Sequence, residues 1–331
     1  SEDAEYLRVL LIEEPEAHLH PQLQVRLLKY LEETATNSRV QVIVTTHSPV
    51  LASSVSLKSI IHLSSPEDVG PCAVSIRNCG LPDKSEAFLS RWLDVTKSTL
   101  LFAKGIILVE GIAEAMLLPE LAKTALQKYN SNSQDKLPDT LEDCGVSVIN
   151  MNGIYFKHFM HLFCNLDNAD RENLPVRCAG ITDQDPPKDS KPTPSNKVPG
   201  TNSALELVDK TNKSEWVRLY VNDLKTFEYD LAFEGDNIQV LAKVLADNWP
   251  TDGEVKKEIQ KLADKDWKTV AESEKADAAF MLLSRIEDSS NMGKGQFAQL
   301  LAEEIKQGAE LAVPKYIYNA VVWACGGEPN D

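Results

Sequence analysis

Four consecutive apolar residues, Ile106-Ile107-Leu108-Val109, run directly into a carboxylate, Glu110, and a glycine, Gly111. A short continuous apolar run with β-branched members predicts a strand buried on both faces of a parallel sheet. Gly111 permits a tight turn, and Ala113 to Leu121 carries apolar residues at helical spacing. Glu110 is therefore expected at the carboxyl end of a strand and Glu114 in the first turn of the next helix. Open α/β sheets place their sites at that edge. For a single Glu, capping the following helix is an equal alternative.

A second apolar stretch, Val176 to Ile181, precedes two aspartates, Asp183 and Asp185. If the chain stays extended there, its period of two aims both carboxylates to one side. Between the two halves, Gly145 to Asn150 reads as a middle strand and Tyr155 to Leu166 as its helix. A strand-Glu-Gly turn followed 73 positions later by a strand-Asp-x-Asp resembles the Toprim domain, the small α/β module shared by topoisomerases, primases and certain nucleases. The resemblance implies a Rossmann-like parallel sheet with flanking helices and a metal site built from Glu110, Glu114, Asp183 and Asp185.

Nearer the amino terminus, Leu7 to Ile12 forms another apolar strand pattern, read as buried, that ends in Glu13-Glu14-Pro15. A helix follows, and then Val40 to Thr45 ending in Thr46-His47-Ser48-Pro49. This series resembles the Walker B and switch-histidine segments of ABC-type ATPases. The resemblance assigns Mg²⁺ binding to Glu13, water activation to Glu14 and γ-phosphate sensing to His47. No Gly-x-x-x-x-Gly-Lys-Ser/Thr loop occurs anywhere, so nothing cradles the nucleotide phosphates. Residues 1–95 are accordingly read as the carboxyl-terminal part of an ATPase domain, expected not to hydrolyse ATP in this chain. Two short strands, Ser59 to Ser64 and Ala73 to Asn78, and a helix from Lys84 to Leu101 lead out of it.

Composition narrows the class. At 331 residues and 43% hydrophobic, the chain can bury a full core. It has no signal-peptide architecture and no membrane-length apolar run. Its six cysteines lack Cys-x-x-Cys spacing, which points to reduced thiols in a cytoplasm and against structural zinc. His158 and His161, three apart among aromatic residues, read as a packing helix. The net charge of −16 argues against gripping nucleic acid through a broad basic surface, although metal-binding carboxylates would themselves contribute to that charge.

Beyond Asp185, a Pro-, Lys- and Ser-rich stretch from Pro186 to Ser203 lacks periodicity and is expected to be a mobile loop, with Lys188, Lys191 and Lys197 near the acids. A strand within Ser214 to Asn222 precedes Phe227-Glu228-Tyr229-Asp230-Leu231-Ala232. Together, the ATPase tail, the Toprim acids and this acidic segment resemble the OLD (overcoming lysogenization defect) family of ATP-dependent nucleases. That resemblance carries Glu228, and with it Asp230, to the position completing the metal site. It also carries a phosphate-contacting role to Lys294, which sits between Gly293 and Gly295 before a helix, where an anion is favoured.

The resulting organisation is 1–95 for the ATPase part, 100–235 for the first part of the Toprim nuclease unit, 236–290 for a helical insertion, and 291–331 for helices completing the unit. The resemblance implies a bacterial, cytoplasmic DNA endonuclease or nickase connected with phage defence and using two Mg²⁺ or Mn²⁺ ions. ATP would be used only by the full-length protein, which would be a homodimer with a helicase-like partner. Catalysis would fall on Glu110, Asp183 and Lys294. Two alternatives stand beside it: a topoisomerase-like strand breaker, which would need a tyrosine nucleophile, and a non-catalytic repair or recombination ATPase fragment.

Overall fold

The computed structural model describes residues 8–66, 70–166 and 171–329; residue 7 of the first strand pattern and part of the loop between Ser64 and Ala73 lie outside them. The chain divides into two compact units, residues 1–103 with 170–174, and residues 104–169 with 175–331.

In the first unit, β1 (Arg8–Glu13), α1 (Pro21–Ser38) and β2 (Val40–Thr45) form a parallel β-α-β element in which Glu13 pairs with Thr45. A short α2 (Pro49–Ala52) is followed by an antiparallel pair, β3 (Ile61–Ser64) and β4 (Cys72–Ser75), and by α3 (Asp83–Trp92). The expectation of a buried β1 is corrected. Among the described residues β1 has one strand neighbour, and Leu11 is 70% exposed. The helix expected to reach Leu101 stops at Trp92 because Asp94 Oδ1 accepts the backbone N–H groups of Thr96 (3.0 Å) and Lys97 (2.9 Å). That side-chain turn competes with helix propagation.

The second unit is built on a four-stranded, wholly parallel sheet. Its elements are β5 (Gly105–Val109), α4 (Ile112–Asn132), β6 (Val146–Asn150), α5 (Phe156–Met160), β7 (Arg177–Thr182), α6 (Val208–Thr211), β8 (Val217–Val221) and α7 (Phe227–Phe233). Five helices complete it: α8 (Asn237–Asp247), α9 (Glu254–Ala263), α10 (Glu272–Ile286), α11 (Lys294–Lys306) and α12 (Lys315–Ala324). The strand order is β6-β5-β7-β8. Every residue of β5 is buried, as a strand covered on both faces requires. Helix α4 presents Ala113, Leu117, Leu118, Leu121, Ala122 and Ala125 to the core, while α12 packs on β5, β7 and β8. Burying each of these leucines contributes roughly 1.5–3 kcal/mol, and each alanine less. Helices α8 and α10 share this same core. The helix expected from Tyr155 to Leu166 is shorter, ending at Met160 and continuing as turns.

Candidate carboxylate site

The chain goes from β5 to β6 on one side, then crosses to β7 on the other. A parallel sheet opens a crevice at that reversal, beyond the carboxyl ends of the two diverging strands. Those ends carry Glu110, after β5, and Asp183, after β7.

Their side chains share partners. Glu110 Oε1 accepts the hydroxyl of Thr182, the backbone N–H of Asp183 (3.3 Å) and the Asn202 amide (3.2 Å). The same Asn202 nitrogen approaches Thr182 Oγ1 at 3.2 Å and Asp185 Oδ2 at 3.4 Å, while its Oδ1 accepts from Ala204 N at 2.9 Å. Asn202 therefore starts a short 3-10 turn and orients two acids. Asn222, 1% exposed, donates to Asp183 Oδ1 (3.1 Å) and accepts from Gln184 N (2.8 Å). Asn202, Asn222 and Thr182 escape a reading of the sequence because their partners are distant in the chain. Asn202 carries only the ordinary signal of a helix-start residue.

Asp183 and Asp185 are not on a continuing strand. β7 ends at Thr182, and Asp185 has φ +48°, a left-handed conformation that Asp tolerates better than most residues. The two carboxylates therefore do not follow the period of two of an extended chain: Asp185 lies at the exposed rim, with Asp183 buried behind it.

Glu114, one turn into α4, is 9% exposed. A Cβ added at Gly111 would lie 3.0 Å from Glu114 Oε2, so the glycine leaves room for this carboxylate against the backbone. Glu228, in the first turn of α7, is 4% exposed. Its Oε2 is 3.0 Å from Lys294 Nζ, which also lies 3.3 Å from Glu287 Oε1. Lys294 begins α11, after Gly293 at φ +85°, a backbone conformation glycine adopts without steric cost.

The electrostatics follow from packing acids together out of water. Burial and the charge of Glu228 push the Glu114 carboxyl up to about 7, with Glu110 adding to the effect. Burial, joined by Glu114, Glu110, Glu228 and Asp185, holds Asp183 well above the usual carboxylate range. Glu110 is also raised, chiefly by burial. Burial alone would lower Lys294, but Glu228, Glu287 and Asp183 outweigh it and raise its pKa, so its charge is secure.

Asp230 faces differently. Its oxygens accept the backbone N–H groups of Asp223 (2.8 Å), Leu224 (3.0 Å) and Lys225 (2.8 Å), and the Asn222 amide at 3.3 Å. It ties the β8–α7 loop together. The stretch from Pro186 to Ser203, expected to be mobile, is pinned by several contacts. Lys225 Nζ, on a residue 4% exposed, donates to the carbonyls of Pro187 (3.1 Å) and Lys188 (2.9 Å), and Tyr229 OH donates to Pro192 O (2.9 Å). Lys191 pairs with Asp277 (2.7 Å) and Lys197 with Asp223 (2.9 Å).

Among the described residues, no three His, Cys, Asp or Glu side chains stand close enough together to hold a metal ion as placed. The donor chemistry at this sheet edge nevertheless fits a hard divalent cation. Its ligands would all be carboxylate oxygens, and these acids resist ionising together.

In the first unit, Glu13 ends β1 and Glu14 follows at φ +42°. Glu14 Oε1 lies 3.5 Å from His47 Nε2, both side chains being exposed. Glu16, which the sequence reading passed over, accepts Thr46 Oγ1 (2.6 Å) and His47 N (2.8 Å) and so joins the two strand ends.

Residues 101–185 match the family described as overcoming lysogenization defect protein-like, TOPRIM domain, and residues 1–52 match the AAA ATPase domain family. The chain is 26% identical over 207 residues to Endonuclease GajA of Bacillus cereus (strain VD045), covering 62% of this chain and 31% of that protein. It is 30% identical over 149 residues to OLD nuclease of Thermus scotoductus (strain ATCC 700910 / SA-01), covering 43% and 26% respectively. The matches thus span less than a third of either relative's length. Among solved structures, the C-terminal region of the Burkholderia pseudomallei OLD protein has a TM-score of 0.42 at 23% identity, covering 68% of this chain and 98% of that one. The C-terminal region of the Xanthomonas campestris pv. campestris OLD protein has a TM-score of 0.44 at 22% identity, covering 69% and 94%.

Proposed function

We propose, starting from this chain's membership of the overcoming lysogenization defect (OLD) family, that it is a nuclease cutting DNA phosphodiesters with divalent cations held at the β5–β7 edge. The observation that carries the proposal is the meeting of Glu110 with the Asp183 backbone at the topological switch point. One relative is called an endonuclease and the other a nuclease.

Glu110, Glu114, Asp183, Asp185 and Glu228 would hold two Mg²⁺ or Mn²⁺ ions, drawing the side chains inward. Such ions, when bound, supply Lewis acidity toward the attacking water and the leaving oxygen. The chain's own groups do the positioning. Asn202 and Thr182 fix the Glu110 carboxylate, Asn222 fixes Asp183, and Lys294 brings a secure positive charge toward the phosphate. We give Asp230 a supporting place, because its oxygens are committed to the loop. Glu13, Glu14 and His47 belong to an ATPase half-site without a phosphate loop, and we assign no ATP hydrolysis to this chain. Dimerisation and a helicase-like partner are proposed for the longer family protein. Among the described residues no helix is long and apolar enough to cross a membrane.

The test is incubation of supercoiled plasmid with the chain in Mg²⁺, Mn²⁺ or EDTA, beside Glu110→Ala. Nicked or linear product that needs the ion and disappears in the variant supports the proposal. Cleavage that persists in EDTA, or in Glu110→Ala, contradicts it.

A further inference from the structure

Residues 236–290, expected from the sequence as a helical insertion, end in α10, and one side of that helix reaches the carboxylate site. Asp277, Phe280 and Glu287 lie at positions i, i+3 and i+10, a spacing that keeps them on one side of a helix. Each meets a lysine. Asp277 pairs with Lys191 at 2.7 Å, and the Phe280 ring centre lies 5.0 Å from Lys191 Nζ and 5.8 Å from Lys225 Nζ. Glu287 Oε1 is 3.3 Å from Lys294 Nζ. Helix α10 also packs on α7, which carries Glu228.

The turn between α10 and α11 is braced. Glu287 N donates to Leu283 O (2.9 Å), so the residue still stands on the last turn of α10. Asp288 then accepts Ser290 N (3.1 Å) and the Asn291 amide (2.6 Å) on its carboxylate, and Met292 N (2.9 Å) on its carbonyl. Met292 is 4% exposed. Glu287 and Lys294 therefore face each other across a short connection tied down from within.

We propose that Glu287 is a positioning residue for Lys294, holding the ammonium at the rim of the site when the divalent cations take up Glu228. The inference rests on the nuclease reading of the same site. The two carboxylate partners of Lys294 are not equivalent. The Glu228 side chain is 5% exposed and is one of the acids assigned above to the cations, whereas that of Glu287 is 40% exposed and is not. Once Glu228 is neutralised by an ion, Glu287 is the partner that remains. An ammonium on a flexible four-carbon stem needs such a partner to keep one place, and a misplacement of about 1 Å can cost about a hundredfold in rate. A half-exposed ion pair contributes little to stability, so the pair serves placement rather than the fold.

The experiment uses the full chain, supercoiled plasmid and Mn²⁺, and compares wild type, Glu287→Gln, Lys294→Met and the double variant. Single-turnover cleavage rates at saturating Mn²⁺, the Mn²⁺ concentration for half-maximal cleavage and thermal melting are measured for each. Glu287→Gln should melt near the wild-type temperature and keep the wild-type half-saturation, while its rate at saturating Mn²⁺ falls about tenfold. In the Lys294→Met background the same substitution should change the rate by less than about twofold, because the carboxylate acts through the ammonium. An unchanged rate in Glu287→Gln overturns the inference, as do losses that multiply in the double variant. A raised Mn²⁺ half-saturation also overturns it, by making Glu287 a cation ligand, and so does an unfolded Glu287→Gln, by making the carboxylate part of the fold. Each of these leaves the nuclease reading standing. If the wild type does not cleave with Mn²⁺, that reading falls and takes this one with it.

Discussion

Lys294 and Glu228 form an ion pair at 3.0 Å across 66 positions of the chain, joining the amino-terminal turn of α11 to that of α7. Both residues therefore face the same acid cluster. Replacing Lys294 with Met leaves Glu228 and Glu114, which repel one another, without their nearest cation. Losing one partner of a fully buried pair costs about 3–5 kcal/mol, but Lys294 is 39% exposed and solvent screens its charge. We expect a loss of about 1–2 kcal/mol in EDTA, measured by urea unfolding. Saturating Mg²⁺ should recover part of it. No loss in EDTA would show that the pair is not holding the acids.

Stability of the metal-free chain should fall as pH rises. Glu114 is raised from 4.5 to about 7 by burial and by Glu228. Between those two values the folded chain binds a proton that the unfolded chain has released, so folding is favoured at the lower pH and the advantage is lost toward pH 7. The shift corresponds to at most about 3 kcal/mol. Melting temperatures in EDTA at pH 5 and pH 7.5 measure the slope, and Glu114→Gln should flatten it. With saturating Mg²⁺ the slope should weaken, because the ion competes with the proton. A slope that Glu114→Gln leaves unchanged would assign it to other groups.

Asn202→Ala removes one amide nitrogen shared by Glu110, Thr182 and Asp185. The Mg²⁺ concentration needed for half-maximal cleavage should rise about tenfold, the effect expected of a group that orients metal ligands. A cleavage titration at fixed plasmid concentration reads this directly. An unchanged half-saturation would confine Asn202 to starting its 3-10 turn.

Lys225→Met tests how the Pro186 to Ser203 stretch is held. The ammonium bonds the carbonyls of Pro187 and Lys188, and charged hydrogen bonds of this kind contribute about 1.5–3 kcal/mol each. Limited proteolysis should cut the variant within this stretch several-fold faster than wild type. Equal rates would mean that Tyr229 and the Lys191 and Lys197 ion pairs hold it unaided.

The sheet was legible in the sequence for a simple reason. Strands covered on both faces must be continuously apolar, and Ile106 to Val109 and Cys178 to Ile181 carry that pattern; the edge strand β6 is only partly buried and shows it less completely, with Ser147 inside its run. The same rule misled at β1, where an equally apolar run is exposed: local pattern records what a strand can bury, not what covers it. Glu110 and Asp183 could be located because each terminates such a run. Asn202, Asn222 and Glu287 could not, since each takes its place in the site through the tertiary fold. The break in the extended chain at Asp185 carries no local signal, because it depends on a left-handed residue other than glycine, held by long-range bonds such as that from its N–H to Lys225 O.

The account stands or falls on Glu110 and Asp183 sharing bound cations. Mn²⁺ titration of the wild-type chain and of Asp183→Asn, with both folded by circular dichroism, measures that sharing most directly. The account predicts two Mn²⁺ ions per wild-type chain and the loss of at least one in the variant. Equal Mn²⁺ binding by the two proteins, or none by the wild type, would contradict it.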